Sequence, residues 1–83
     1  MIQKGSFVRP IAGKDQDRFF VVIQTEGEWA YLSDGRKRTL SHLKKKKHRH
    51  LEVTGQELDL SAVTTNKQLR KALTSLGFCR IVR

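Results

Sequence analysis

Cysteine, proline, methionine, tryptophan and tyrosine each occur once in these 83 residues. A lone cysteine closes no intramolecular disulfide, so the fold has to rest on packing and hydrogen bonds. Cys79 lies in "GFCRIVR" among apolar neighbours with no nucleophile or redox motif around it, and reads as a buried, inert thiol. The single proline, Pro10, cannot donate to a ladder and marks a sheet edge or a strand end. Nowhere is there an apolar run long enough to span a membrane, nor a signal-peptide core. These absences favour a soluble, cytoplasmic protein with no membrane partner. Catalysis also lacks its usual parts. There is no Ser-His-Asp order with a glycine elbow, no phosphate-cradling glycine loop and no carboxylate pair in apolar surroundings. Glu26 and Glu28 flank a loop and read as solvated. A non-enzymatic protein without a cofactor is expected.

What is abundant is positive charge. Seventeen Lys and Arg stand against eight Asp and Glu, a formal net charge of +9, and the hydrophobic fraction of 37% allows one small core. The charge is concentrated in "DGRKRTLSHLKKKKHRH", from Asp34 to His50. Eight of its seventeen residues are Lys or Arg and three are His, so it carries +7 and leaves only +2 for the other 66 residues. A basic patch on a nearly neutral body has the form of an electrostatic docking surface.

The remaining chain reads as short strands followed by a helix. Phe7 and Val8 belong to a first strand, and "AGKDQDR" to a turn in which Gly13, Asp15 and Asp17 suit tight geometry. "RFFVVIQTE" is the strongest strand; without strict alternation, both its faces should be partly covered. Gly27 breaks it as a hairpin loop. "EWAYLS" then places Trp29 and Tyr31 on one face and Ala30 and Leu32 on the other. Asp34–Gly35 fits a type I′ hairpin. "KRTLSHL" reads as a third, more polar strand, and "HRHLEVT" as a fourth with Leu51 and Val53 inward. Strands this short, joined by tight turns within about 55 residues, predict a small antiparallel barrel. The segment after Gly55 is a C-terminal extension. Its helix spans about residues 65–76, with Thr65 or Asn66 as cap, Gln68 completing a capping box and Gly77 at the C-terminal end. Leu69, Ala72, Leu73 and Leu76 form one apolar face that should pack on the barrel, within a single domain overall.

"GSFVRPIAGKDQDRFFVV", "YLSDGRKRTL" and "LKKKKHRHLEVT" together resemble the KOW-domain, ribosomal-protein-like RNA-binding proteins, over roughly Gly5 to Thr54. Ala12, Gly13, Lys14 and Asp15 match the family's turn. Asp34, Gly35, Arg36 and Arg38 match its hairpin, and Lys44 to Lys47, His50 and Leu51 its basic segment. Asp17, preceded by Gln16, stands where the family usually has glycine. The resemblance implies a mostly β fold, an SH3-like antiparallel barrel, and RNA binding on or near the ribosome.

Chemistry supports the same expectation from the residues alone. Lysines reach phosphates as mobile charges and arginines grip them with a planar fork. Four buried lysines are implausible, so Lys44, Lys45, Lys46 and Lys47 are expected in a loop or bulge beside Arg36, Lys37 and Arg38. His48, Arg49 and His50 extend that surface, and the resemblance implies that Lys14 joins it through the family's turn. Lys67, Arg70 and Lys71 lie off the helix's apolar face and form a secondary RNA contact. A solvated charge run is the plain alternative. His42, His48 and His50 invite a metal, but no cysteine or carboxylate completes a site and the surrounding cations oppose one. Most aromatics must be core; Trp29, after "EGE" at a turn, is the candidate for base stacking. The expected protein is a monomer that binds ribosomal or similarly structured RNA without chemistry, in contact with the ribosome or translation factors. The rival is an interaction module that docks an acidic translation or transcription factor.

Overall fold

The computed structural model describes residues 2–11 and 18–75. The fold is mostly β, with five antiparallel strands in one sheet and one helix: β1 (Ser6–Pro10), β2 (Phe20–Glu26), β3 (Trp29–Ser33), β4 (Lys44–Lys47), β5 (Leu51–Glu57) and α1 (Asn66–Ser75). The strand order is β4-β3-β2-β1-β5, a four-strand meander whose fifth strand returns to the free side of β1. A one-turn 3-10 helix, His48–His50, joins β4 to β5, and another, Leu60–Ala62, precedes α1. Among the described residues β4 and β5 are the two edges of the sheet and do not pair, so the sheet is not closed into a barrel.

Side-chain alternation splits the interior in two. Val8, Phe20, Val22, Ala30 and Leu32 point to one face and form a cluster with Ile2 and Leu51. Phe7 and Val21 point to the other and are covered by Leu69 and Leu73 of α1, with Phe19, Ile23, Leu40, Leu58, Leu60 and Val63 around them. The two covered faces of β2 explain why its sequence is apolar without alternating. Tyr31 and Trp29 share the second face, here called the outer face, beyond the part that α1 covers.

Local geometry follows the chain's chemistry at most ends. Pro10 closes β1, a central strand, where its missing N–H does not interrupt the ladder. Gly27, at φ 59°, takes the first central position of the two-residue β2–β3 turn, the place that a type II′ turn reserves for glycine. Thr65 caps α1: its Oγ1 accepts from the Gln68 N–H at 3.2 Å, while Gln68 Oε1 accepts from the N–H groups of Thr65 at 3.2 Å and Thr64 at 2.7 Å. The capping box read from the sequence is therefore formed, and the helix starts at Asn66, one residue inside the expected start.

Three expectations are corrected. "KRTLSHL" is not a strand; residues 34–43 form the loop between β3 and β4. Its backbone groups are met locally rather than by a ladder. The Arg38 carbonyl accepts from the N–H groups of Asp34 and Gly35 and from the Ser33 hydroxyl, and the His42 N–H donates to the Thr39 carbonyl. Asp34 does not open a type I′ turn, which would need positive φ there; it is absent from the residues with positive φ. Val53 stands on the inner face opposite Val8 but is not buried; it is 46% exposed, because β5 is an edge strand. The turn holding Lys14, and Leu76, Gly77, Cys79 and the expected last strand "FCRIVR", lie outside the described residues. No helix among the described residues is long and apolar enough to cross a membrane.

Candidate nucleic-acid interface

The basic segment starts from a buried acid. Asp34 is 4% exposed, and its Oδ1 accepts from the N–H groups of Arg36 at 2.8 Å and Arg38 at 3.1 Å. Its Oδ2 lies 3.5 Å from the Arg18 guanidinium. The carboxylate thus replaces a sheet partner for the N–H groups of Arg36 and Arg38 and curls the chain around itself. The side chains of Arg36, Lys37 and Arg38 are left exposed on the outside of the curl. On its inner side the loop rests on α1. The Leu40 N–H donates to Asn66 Oδ1 at 2.7 Å, and Arg70 Nη1 donates to the Gly35 carbonyl at 2.7 Å.

Lys44, Lys45, Lys46 and Lys47 are not in a loop or bulge. They are β4 itself, paired with Leu32, Tyr31, Ala30 and Trp29 respectively. Alternation does send two of the four lysines to each face, but only a strand enclosed on both faces would bury them. β4 is an edge, so Lys44 and Lys46, on the inner face opposite Leu32 and Ala30, need only lay their stems along the rim of the core, and both are half-buried. Lys45 and Lys47 fall on the outer face with the two aromatics. Lys45 Nζ is 4.6 Å from the centroid of Trp29 and 6.0 Å from that of Tyr31, and Lys47 Nζ is 5.3 Å from that of Trp29. Both ammonium groups lie over the indole in cation–π geometry. Lys47 also pairs with the exposed Glu28 at 3.1 Å.

The two histidines of "HRH" do not share a strand face; His48, Arg49 and His50 make the 3-10 turn. Backbone and ring tie His48 to the β2–β3 turn. Its N–H donates to the Glu28 carbonyl at 2.9 Å, and its Nε2 lies 3.1 Å from the Trp29 carbonyl. A carbonyl only accepts, so Nε2 carries the hydrogen. Arg49 and His50 are exposed. Lys67 and Lys71 project from the solvent side of α1, opposite Leu69 and Leu73. Arg70 does not join them, because it is committed to Gly35. Among the described residues no group of three His, Cys, Asp or Glu is placed to hold a metal ion.

The structure therefore makes the four lysines one edge strand of the sheet, with the Arg36–Arg38 loop before it in the chain and the Arg49–His50 turn after it, and sets Lys67 and Lys71 apart on the helix. It adds a feature the sequence reading missed, the pairing of Trp29 and Tyr31 with Lys45 and Lys47. The signal was present in "WAYL" and "KKKK", which align residue by residue once the second is read as a strand. A scan against protein-family models and a search of curated proteins find no match to this chain.

Proposed function

We propose that the protein binds RNA through this edge, without chemistry, as a KOW-type module built on an SH3-like barrel, and that it works as a monomer at the cytoplasmic ribosome. One observation carries the reading. The three elements with most of the net charge, the Asp34 loop, β4 and the 3-10 turn, are consecutive in the chain and flank or form one edge strand of the sheet. Arg36, Lys37, Arg38 and Arg49 are exposed there, and none of their side chains is needed by the core. Such a line of cations suits the regularly spaced charges of a phosphate backbone, whose counterions are released on binding. The strand order and the 3-10 turn before β5 support the barrel class, in which β5 curls toward β4. The motifs running from Gly5 to Thr54 support the family.

Two measurements test the proposal. If about five phosphates are engaged, the slope of log affinity against log salt is roughly −3.5 to −4.5. Replacing Arg36, Lys37 and Arg38 together with Gln should flatten the slope and leave the melting temperature unchanged, because the loop is held by its backbone and by Asp34. Co-sedimentation of the protein with ribosomal particles reads the cellular context. A salt-independent affinity, or RNA binding unchanged in the triple variant, rejects the proposal; tighter binding to an acidic polypeptide than to RNA would transfer the edge to a protein partner.

A further inference from the structure

The outer face of the β3–β4 hairpin does more than add charge. We infer that it is a stacking platform for an unpaired RNA base, with Trp29 as its floor and Lys45 and Lys47 as the partners of the adjoining phosphates; this inference rests on the RNA-binding reading above. The indole is half-buried, with two ammonium groups at 4.6 and 5.3 Å from its centroid. Ammonium groups keep contact with water, so the ring face beneath them is the solvent-side face. A ring open to two cations is open to a planar base of similar approach. When a base arrives, the lysines need only swing on their flexible stems from the ring to the phosphates beside it. The exchange replaces weak exposed cation–π contacts with a base stack and charge-assisted phosphate contacts.

Charge on the same face sets the direction of the strand. Glu26 is the register partner of Trp29 on β2, and Glu28 at the turn holds Lys47 at 3.1 Å. Both acids are exposed and bound the platform on the β2 side and at the tip. The cations bound it on the β4 side. A bound strand therefore runs its phosphates along β4 and points its bases across β3 toward Trp29 and Tyr31. A base inside a duplex cannot use this floor, because its neighbours in the stack already cover both faces. The substrate class is unpaired RNA, either a free single strand or a loop or bulge of a structured one.

Trp29 is the sole tryptophan, so intrinsic fluorescence reports on this site alone. The probes are a short unstructured single-stranded RNA and a long RNA duplex, compared at equal phosphate concentration. The single strand should quench the emission and the duplex should not. Trp29→Leu keeps apolar bulk but removes the π face, and should weaken single-strand binding about 5- to 100-fold, the worth of one base stack, while duplex affinity stays within about two-fold. Glu28→Gln frees Lys47 and should tighten single-strand binding. If Trp29→Leu does not fold, quenching of the unaltered protein by the single strand and not by the duplex decides the matter. Equal affinity for both RNAs, with no quenching and no effect of Trp29→Leu, overturns the platform and leaves electrostatic RNA binding standing. Binding to neither RNA overturns both.

Discussion

Replacing Gly35 with alanine tests whether the basic loop is seated on the helix, and a second glycine provides the control. Gly35 has φ 73°, and a Cβ there would stand 2.6 Å from the Asn66 carbonyl oxygen and 3.0 Å from Arg70 Cγ. Left-handed backbone costs an L-residue about 1–2 kcal/mol. The Asn66 oxygen belongs to the first turn of α1 and cannot rotate away, so the loop or the helix must shift, at a typical overpacking cost of about 1–3 kcal/mol. Gly27 has φ 59° and nothing within 4 Å of the same position. Gly27→Ala therefore costs about 1–2 kcal/mol and Gly35→Ala about 2–5 kcal/mol. Urea denaturation followed by circular dichroism measures the difference, with a common m-value required for the comparison. In thermal melts each kcal/mol is worth about 4–8 °C for a domain of this size. Equal destabilisation by the two alanines would refute the contact between loop and helix, and with it the view that α1 positions Arg36–Arg38.

Three further outcomes follow from particular contacts. Leu69→Ala empties a site that is 0% exposed between Phe7 and Val21, and should cost about 2–5 kcal/mol in the same denaturation assay; a cost under about 1 kcal/mol would mean that α1 is not packed on the sheet. Lys71→Ala should leave the melting temperature unchanged but reduce the salt slope of RNA binding by about one, whereas an unaltered slope removes the helix from the interface. Asp59 accepts from the Ser61 hydroxyl at 2.6 Å and from its N–H at 3.0 Å, and these bonds hold its carboxyl below the ordinary 3.8. A lowered folded pKa gives stability that is fully present above 3.8 and is lost as pH falls through the folded value. Melts across that acid range should show a loss in the unaltered protein that Asp59→Asn lacks, and parallel profiles would count against the Asp59–Ser61 bonds.

The sequence was most informative where one local rule acts alone. The β2 strand, the Gly27 turn, the alternation of Trp29 to Leu32 and the Thr65–Gln68 capping box all follow from short-range chemistry, and the structure repeats them. The segment from Lys37 to Leu43 has the look of a strand because a polar stretch with β-branched Thr39 satisfies the same propensities. What decides it is a buried carboxylate that accepts from two of the loop's N–H groups, together with Ser33, Asn66 and Arg70, which meet others of its backbone groups. The lysine run was misread for the opposite reason. Four like charges argue against a strand only if both faces are enclosed, and the position of β4 at the edge is a property of the whole sheet, not of "KKKK". An edge lined with lysine also resists pairing with another chain, so the same residues that complete the sheet end its growth.

The candidate site was harder to read than the fold because a cation's donors serve internal carbonyls and external phosphates equally well. Arg70 and His48 belong to the same basic stretches as Lys71 and Arg49, yet their contacts run inward, to the carbonyls of Gly35 and Trp29. Each of those carbonyls lies at a loop or turn junction, where a side-chain donor can serve what the ladder leaves over. The loop of Arg36, Lys37 and Arg38 differs, since Asp34 and Ser33 already pair with its backbone and its side chains carry no such duty. Backbone satisfaction therefore sorts the cations. Where an acid or a hydroxyl has closed the local backbone, the neighbouring Lys and Arg side chains are left to face outward, and where it has not, one of them is drawn in. By this criterion Arg36, Lys37, Arg38 and Arg49 are the stronger candidates for contact with phosphate, and Arg70 and His48 would serve the proposed site only through the shape of the loop and hairpin that they hold.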